Sequence, residues 1–288
     1  MTDVPPKLQR RRNLLGVVAA IGVGAAGFLL TRSVACTDRS GTPTPTGKST
    51  RLMLFCGAGV RVAADALTDA FRRETGIVVE TTYAGSDRLM GQISASGRGD
   101  LFMPGSEFYV NKAIELGLAE QGSQRVVAYF VPVIFVRKGN PKAVQSLNGL
   151  AGRGLRVGIG DERVTAVGQQ TLEVLRKNGI AYETIERNVV LKAGTVTELG
   201  EAVRLGSIDA AIVWDATADQ FADGGDVVPI PPAKNVPAAI PVVLLKSSTA
   251  PEAARRFIDF AASQQGKRIL SEMGYTVTLG SEFNASHE

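Results

Sequence analysis

Histidine is almost missing from this chain. One residue of 288 is a histidine, His287, next to last in the sequence. A lone imidazole in a terminal segment that is expected to fray offers no His-based triad and no His-based metal cluster. Cysteine is nearly as scarce. Of the two, Cys36 belongs to an N-terminal leader, which leaves Cys56 alone in the body and excludes an internal disulfide framework. A catalytic thiol needs a base, and none is offered, so Cys56 reads as a small buried hydrophobe at a strand end. Net charge is also lacking once its location is considered. The chain carries 32 basic and 28 acidic residues. Five of the basic residues (Lys7, Arg10, Arg11, Arg12, Arg32) and one acidic residue (Asp3) fall within the first 36 positions. The rest of the chain is therefore balanced at 27 of each. A nucleic-acid partner gains no support from that balance.

What is present is ordinary globular composition, 44% hydrophobic and 21% charged. The length suits one large domain or two modest ones. The leader is distinctive. Arg10, Arg11 and Arg12 precede residues 14–30, seventeen positions without charge or proline. A basic stretch followed by an apolar one is an export signal, and seventeen residues is also close to the lower limit for a membrane span, roughly 17. Arg11-Arg12-Asn13-Leu14-Leu15 resembles a twin-arginine signal. Ser33-Val34-Ala35-Cys36 resembles a bacterial lipobox, with Ser33 where a large aliphatic residue is usual. Lipidation of Cys36, an uncleaved N-terminal anchor and ordinary cleavage are the three outcomes. The first two hold the exported protein at the outer face of a membrane. Residues 37–50 are rich in Thr, Ser, Pro and Gly and have no apolar periodicity. They read as a flexible tether with a reach on the order of 20 Å.

From residue 51 onward β-like and helical patterns alternate. Strand-like runs occupy 51–56, 77–82, 101–104, 155–159, 210–214 and 227–230, and helical periodicity occupies 62–74, 86–96, 108–116, 167–177, 195–205, 251–263 and 264–273. Gly117 and Gly179 are helix stops. This alternation predicts an α/β fold with mainly parallel sheets. Two apolar β segments, 126–136 and 239–245, each hold a proline, Pro132 and Pro241. They read as a two-stranded hinge around an inserted lobe. No internal repeat is evident in the sequence.

Two turns in the first part of the body carry the chemistry. Cys56-Gly57-Ala58-Gly59 and Tyr83-Ala84-Gly85-Ser86 each follow a β run and open a helix. The first N–H groups of a helix lack partners and sit at the positive end of its dipole. Two such turns suggest a chain built to hold a small anion through main chain. Gly152-Arg153-Gly154 and Gly158-Ile159-Gly160 do not match phosphate-loop spacing.

Several stretches then match a family. Residues 51–59, Phe71-Arg72-Arg73-Glu74-Thr75-Gly76, Tyr83-Ala84-Gly85-Ser86, and Gly99-Asp100-Leu101-Phe102 follow one another at the family's spacing. So do Gly160-Asp161 through Gly168, Gly194 through Val203, and Ala211-Ile212-Val213-Trp214-Asp215-Ala216. In that order, over about residues 51–278, the chain resembles the periplasmic molybdate-binding proteins of ABC transporters. The resemblance implies a two-lobed type II periplasmic-binding-protein fold. Lobe 1 would comprise 51–131 and 240–288, and lobe 2 would comprise 132–239. It implies no enzymatic activity, no cofactor and a monomer. The implied partners are a small molybdate- or tungstate-like oxyanion and an ABC transporter permease.

Carried over by position, the oxyanion site falls on Gly59, Ser86, Val167, Val196 and Trp214, with Ala58 and Gly85 flanking the first-lobe turns. Gly59 stands where the family usually has Ser, and Trp214 where many members have Tyr. Val167 and Val196 would act through backbone N–H. Asp215 carries two readings, a cap for the helix that follows and a ligand to the metal centre of an expanded oxyanion. Ser86 likewise reads as a plain N-cap or as a ligand, and Arg61 and Arg88 as solvated surface or as cations reaching the cleft. Another anion on the same fold, such as sulfate, phosphate, an organic anion or a chelated metal, is the alternative function. An anchored enzyme or a receptor input module is the alternative of a different class.

Overall fold

The computed structural model describes residues 50–283. The leader with Cys36, the tether up to residue 49 and the tail with His287 lie outside the described residues. The chain begins with β1 (Arg51–Gly57), α1 (Arg61–Thr75), β2 (Val78–Ala84), α2 (Ser86–Ser96), β3 (Leu101–Met103), α3 (Glu107–Glu115) and β4 (Arg125–Phe130). It crosses at Val131 into β5 (Pro132–Arg137), β6 (Val157–Gly160), α4 (Ala166–Lys177) and α5 (Glu183–Glu186). There follow β7 (Val189–Ala193), α6 (Val196–Arg204), β8 (Ala210–Trp214), α7 (Asp215–Gln220) and β9 (Gly225–Pro229). The return leads into β10 (Ala238–Leu244), and α8 (Pro251–Ala262) and α9 (Gln264–Glu272) close the fold. Gly117 and Gly179 end their helices with φ of +72° and +63°, a region that glycine enters without Cβ strain.

The ten strands form two five-stranded sheets, ordered β2-β1-β3-β10-β4 and β7-β6-β8-β5-β9. Each sheet has two parallel and two antiparallel neighbour pairs. The sheets are therefore mixed rather than mainly parallel. The cause is the double crossing. β5 and β10 enter their sheets from the other lobe, so each runs against the four strands that head toward the cleft. Because each reversed strand lies inside its sheet, one reversal makes two antiparallel pairs. The two orders are equivalent under exchange of β1, β2, β3, β4 and β10 for β6, β7, β8, β9 and β5. The lobes thus repeat a topology that leaves no visible repeat in the sequence.

Strand side chains alternate between faces, and β5 shows what that does here. Val133 and Phe135 join the core that continues into the first lobe, while Ile134 and Val136 join a second core on the opposite face. Both faces are covered by helices, which is why β8 is buried at all five positions. Each such Val, Ile or Leu contributes roughly 1.5–3 kcal/mol. Strand β7 is absent from the sequence expectation. It is an edge strand with alternating exposure and a lysine within it, so its apolar signal is thin.

Candidate functional site

The strands that head toward the cleft end at one place. A cavity of about 30 Å³ there is lined by Gly57, Ala58, Gly59, Val60, Ala84, Gly85, Ser86, Gly105 and Phe130 from the first lobe. Thr165, Ala166, Val167, Thr195, Val196 and Trp214 line it from the second. Seven of the eight expected binding residues are brought together: Ala58, Gly59, Gly85, Ser86, Val167, Val196 and Trp214. Among the described residues, no Lys, Arg, His, Asp or Glu lines the cavity.

Helix starts supply the donors. α2, α4 and α6 begin at the cavity, and a short 3-10 turn, Ala58–Val60, leads into α1. The first amides of a helix have no intrahelical acceptor. Side chains satisfy some of them. Thr165 Oγ1 accepts from the Gly168 amide at 3.0 Å and donates to the Asp161 carbonyl at 2.8 Å. Thr195 Oγ1 accepts from the Glu198 amide at 3.3 Å and donates to Glu198 Oε1 at 3.2 Å, while Glu198 Oε2 accepts from Gly194 N–H at 2.9 Å. The pattern resembles a capping box, with the returning bond on the amide that precedes the N-cap. The caps act on the third amide of α4 and of α6, and leave the earlier ones, at Val167 and Val196, for the cavity.

Ser86 is the first residue of α2, not its N-cap, and that position belongs to Gly85. Its side chain caps no amide of α2. It is buried at 3% exposure, and its Oγ accepts from Gly105 N–H at 3.2 Å. One of its two lone pairs is thus engaged, and the hydroxyl donates to no acceptor among the described residues. Trp214 stacks on Phe130 with ring centroids 4.6 Å apart and planes 7° from parallel. Its indole N–H makes no hydrogen bond with another described residue. With the Thr165 and Thr195 hydroxyls taken up by the caps, the donors left for the cavity are amides, the Ser86 hydroxyl and the Trp214 indole.

Gly59 has a structural reason that the sequence did not show. A Cβ there would lie 2.9 Å from Val196 Cγ1, 3.2 Å from Trp214 Cδ1 and 3.3 Å from Phe130 Cζ. The glycine and the tryptophan go together, because the indole edge fills the space where a serine side chain would begin. The Gly59 carbonyl accepts from Tyr275 Oη at 2.6 Å, which fixes its peptide. Gly85 has a similar role at the seam. A Cβ there would lie 2.6 Å from the Gly194 carbonyl and 3.2 Å from that of Val164. Beside it, the Asp87 amide donates to Val164 O at 3.2 Å, one main-chain bond between the lobes.

Asp215, expected among the binding residues, stands outside the lining. Its Oδ1 accepts from the Val131 amide at 3.1 Å and its Oδ2 from Thr276 Oγ1 at 3.1 Å. Burial holds its carboxyl above the ordinary carboxylate range. Arg61 and Arg88 also stay out of the lining. Arg61 lies 4.1 Å over the Tyr83 ring in a neighbouring groove. Cys56 is fully buried and burial raises its thiol pKa, in keeping with a packing role. Gly105, Thr165 and Thr195 were not expected in the site. The last two could have been found as threonines preceding a helical pattern, whereas Gly105 carried no signal.

A family model for bacterial extracellular solute-binding proteins matches residues 52–276. The chain belongs to this family. Extracellular solute-binding proteins of this kind serve ABC transport and are not enzymes. A Haemophilus influenzae protein described only as a binding protein is 30% identical over 225 residues, 78% of this chain and 90% of that one. The molybdate-binding protein ModA of Mycobacterium bovis is 25% identical over 252 residues, 86% of this chain and 94% of that one. Among solved structures, the sulfate-binding protein SubI of Mycobacterium tuberculosis superposes with a TM-score of 0.72 at 19% identity, covering 82% of this chain and 89% of that one. That likeness establishes the shared solute-binding fold.

Proposed function

We propose that this solute-binding protein captures a fully deprotonated tetrahedral oxyanion of the molybdate or tungstate type and delivers it to an ABC importer. One observation carries the reading: helix starts from both lobes converge on a cavity of about 30 Å³ with no charged side chain in its lining. Drug-sized organic ligands fill pockets of roughly 300–1,000 Å³, an order of magnitude more. A dianion entering the cleft must replace its water, and bare burial would cost many kcal/mol. A shell of N–H and O–H donors at about 2.8 Å replaces that water. Each helix start adds roughly 0.3–2 kcal/mol.

The donors assigned to the ion are the amides of Gly59, Val167 and Val196, together with Ser86 and the Trp214 indole. Ala58 and Gly85 shape the turns. A donor-only shell suits an ion that carries no proton. Residues 51–131 with 240–283 form one jaw and residues 132–239 the other, and the leader holds the pair at the membrane through Cys36 or an uncleaved anchor. Titration calorimetry against molybdate, tungstate, sulfate, phosphate and thiosulfate tests the proposal. Submicromolar molybdate or tungstate binding with weak sulfate binding is the expected result. Tighter sulfate binding moves the assignment to another anion on this fold, and silence for all five ions sinks it.

A further inference from the structure

The crossing between the lobes carries a carboxylate that the binding site does not use. Val131 is the single residue between β4 and β5. It is bonded to Asp215 in both directions: Asp215 N–H donates to Val131 O at 2.9 Å, and Val131 N–H donates to Asp215 Oδ1 at 3.1 Å. The other carboxylate oxygen accepts from Thr276 Oγ1 at 3.1 Å. Thr276 belongs to the C-terminal segment that lies beside β4, where its carbonyl accepts from Tyr129 N–H at 2.6 Å. Asp215 therefore joins the end of a second-lobe strand to the crossing and to the first lobe. No basic side chain contributes to its environment among the described residues. A partly buried carboxylate without a counter-ion carries a desolvation cost, so the two bonds it accepts must be accounted for.

Its position in the sequence links it to the cavity. The residue before Asp215 is Trp214, and the residue before Val131 is Phe130. Those two rings are the stacked pair in the cavity lining. A stacked pair at the ligand and a hydrogen-bonded pair at the crossing are thus consecutive along both segments. We infer that Asp215 is a positioning residue for ion capture: it ties the Trp214–Phe130 wall to the crossing at Val131, so that occupancy of the cavity stabilises the closed lobes. The ion touches Trp214, and the crossing responds through the next residue.

The kinetic arm of the test rests on the oxyanion reading, with molybdate as the probe, and the scattering arm does not. Stopped-flow Trp214 fluorescence gives the rates. Asp215→Ala is expected to raise koff about tenfold with kon within about twofold, and Thr276→Val, which touches neither cavity nor crossing amide, about threefold. Asp215→Asn keeps an acceptor for Val131 and is expected to stay within about twofold of wild type. Without any ion, small-angle scattering should show a larger radius of gyration for Asp215→Ala and Thr276→Val than for wild type. If Asp215→Ala does not fold, Thr276→Val decides. A lowered melting temperature with unchanged koff and unchanged radius overturns the inference, as does a loss confined to kon. Wild type that binds no molybdate removes the oxyanion reading, while the ion-free radii still judge the hinge role.

Discussion

Ser86 and Gly59 make opposite demands on a single atom. Ser86 brings a hydroxyl whose oxygen already accepts from Gly105 N–H and whose proton remains free to donate into the cavity. Ser86→Ala removes one donor from the ion and also frees the Gly105 amide. The expected loss is about 1–3 kcal/mol of binding, roughly 5- to 150-fold in Kd by calorimetry. An unchanged Kd returns Ser86 to a packing role. Gly59 works by what it lacks. Gly59→Ala puts a methyl 2.9 Å from Val196 Cγ1 and 3.2 Å from Trp214 Cδ1. These two nearest atoms belong to the other lobe, so most of the strain falls on the closed form, with Phe130 Cζ of its own lobe 3.3 Å away. Overpacking of this kind costs about 1–3 kcal/mol. Gly59→Ala should weaken molybdate binding by at least about tenfold, and adding Trp214→Tyr should return part of the loss by clearing the methyl's neighbour. Additive losses in the double variant would show that the two positions are not coupled.

The elements explain which parts of this account were legible beforehand. Turns with Gly and Ser between a β run and a helix are local signals, and they led to Gly59 and Ser86, whereas Val167 and Val196 followed only from the family resemblance; all four line the cavity. Strand direction is not a local signal. The prolines and apolar runs of 126–136 and 239–245 marked the crossings between lobes, but nothing within them says in which direction β5 and β10 then run in their sheets, so the antiparallel pairs and the mixed sheets emerged only in three dimensions. Asp215 stands outside the lining for a similar reason. Beside Trp214 it looks like a ligand, yet its partners Val131 and Thr276 are 84 and 61 residues away.

One loop connects element and charge. Asp161, between β6 and α4, accepts from Arg163 Nε at 3.0 Å, Nη2 at 2.7 Å and the Arg163 amide at 2.9 Å. These bonds hold its carboxyl down at about 2. A lowered folded pKa means that the unfolded chain takes up the proton first as pH falls. The contribution is therefore full above the ordinary carboxylate value near 4 and fades toward pH 2. Asp161→Asn should be less stable than wild type at neutral pH, and the gap in melting temperature should narrow through that window. A gap of constant size from pH 6 to pH 2 would assign the loss to shape rather than charge. Because this pair is solvent-facing, the effect should also shrink with added salt.

At the scale of the molecule, the two lobes meet around a site that neither could build alone, with the turns of β1 and β2 on one side and the starts of α4 and α6 on the other. Their seam is glycine against backbone at Gly85, where a Cβ would lie 2.6 Å from the Gly194 carbonyl. A backbone oxygen cannot swing aside as a side-chain tip can. Gly85→Ala is therefore a wedge: it leaves each lobe's own core untouched and keeps the jaws apart. Wild type should contract in small-angle scattering when saturated with molybdate, whereas Gly85→Ala should keep the same radius with and without the ion. Its affinity should fall by about 10²-fold or more, because donors from only one lobe then face the ion and the rest of its shell is water. Its melting temperature without ion should stay near that of wild type, since the wedge burdens only the closed form. If the variant contracts fully and binds like wild type, then the seam at Gly85 yields and closure does not depend on it.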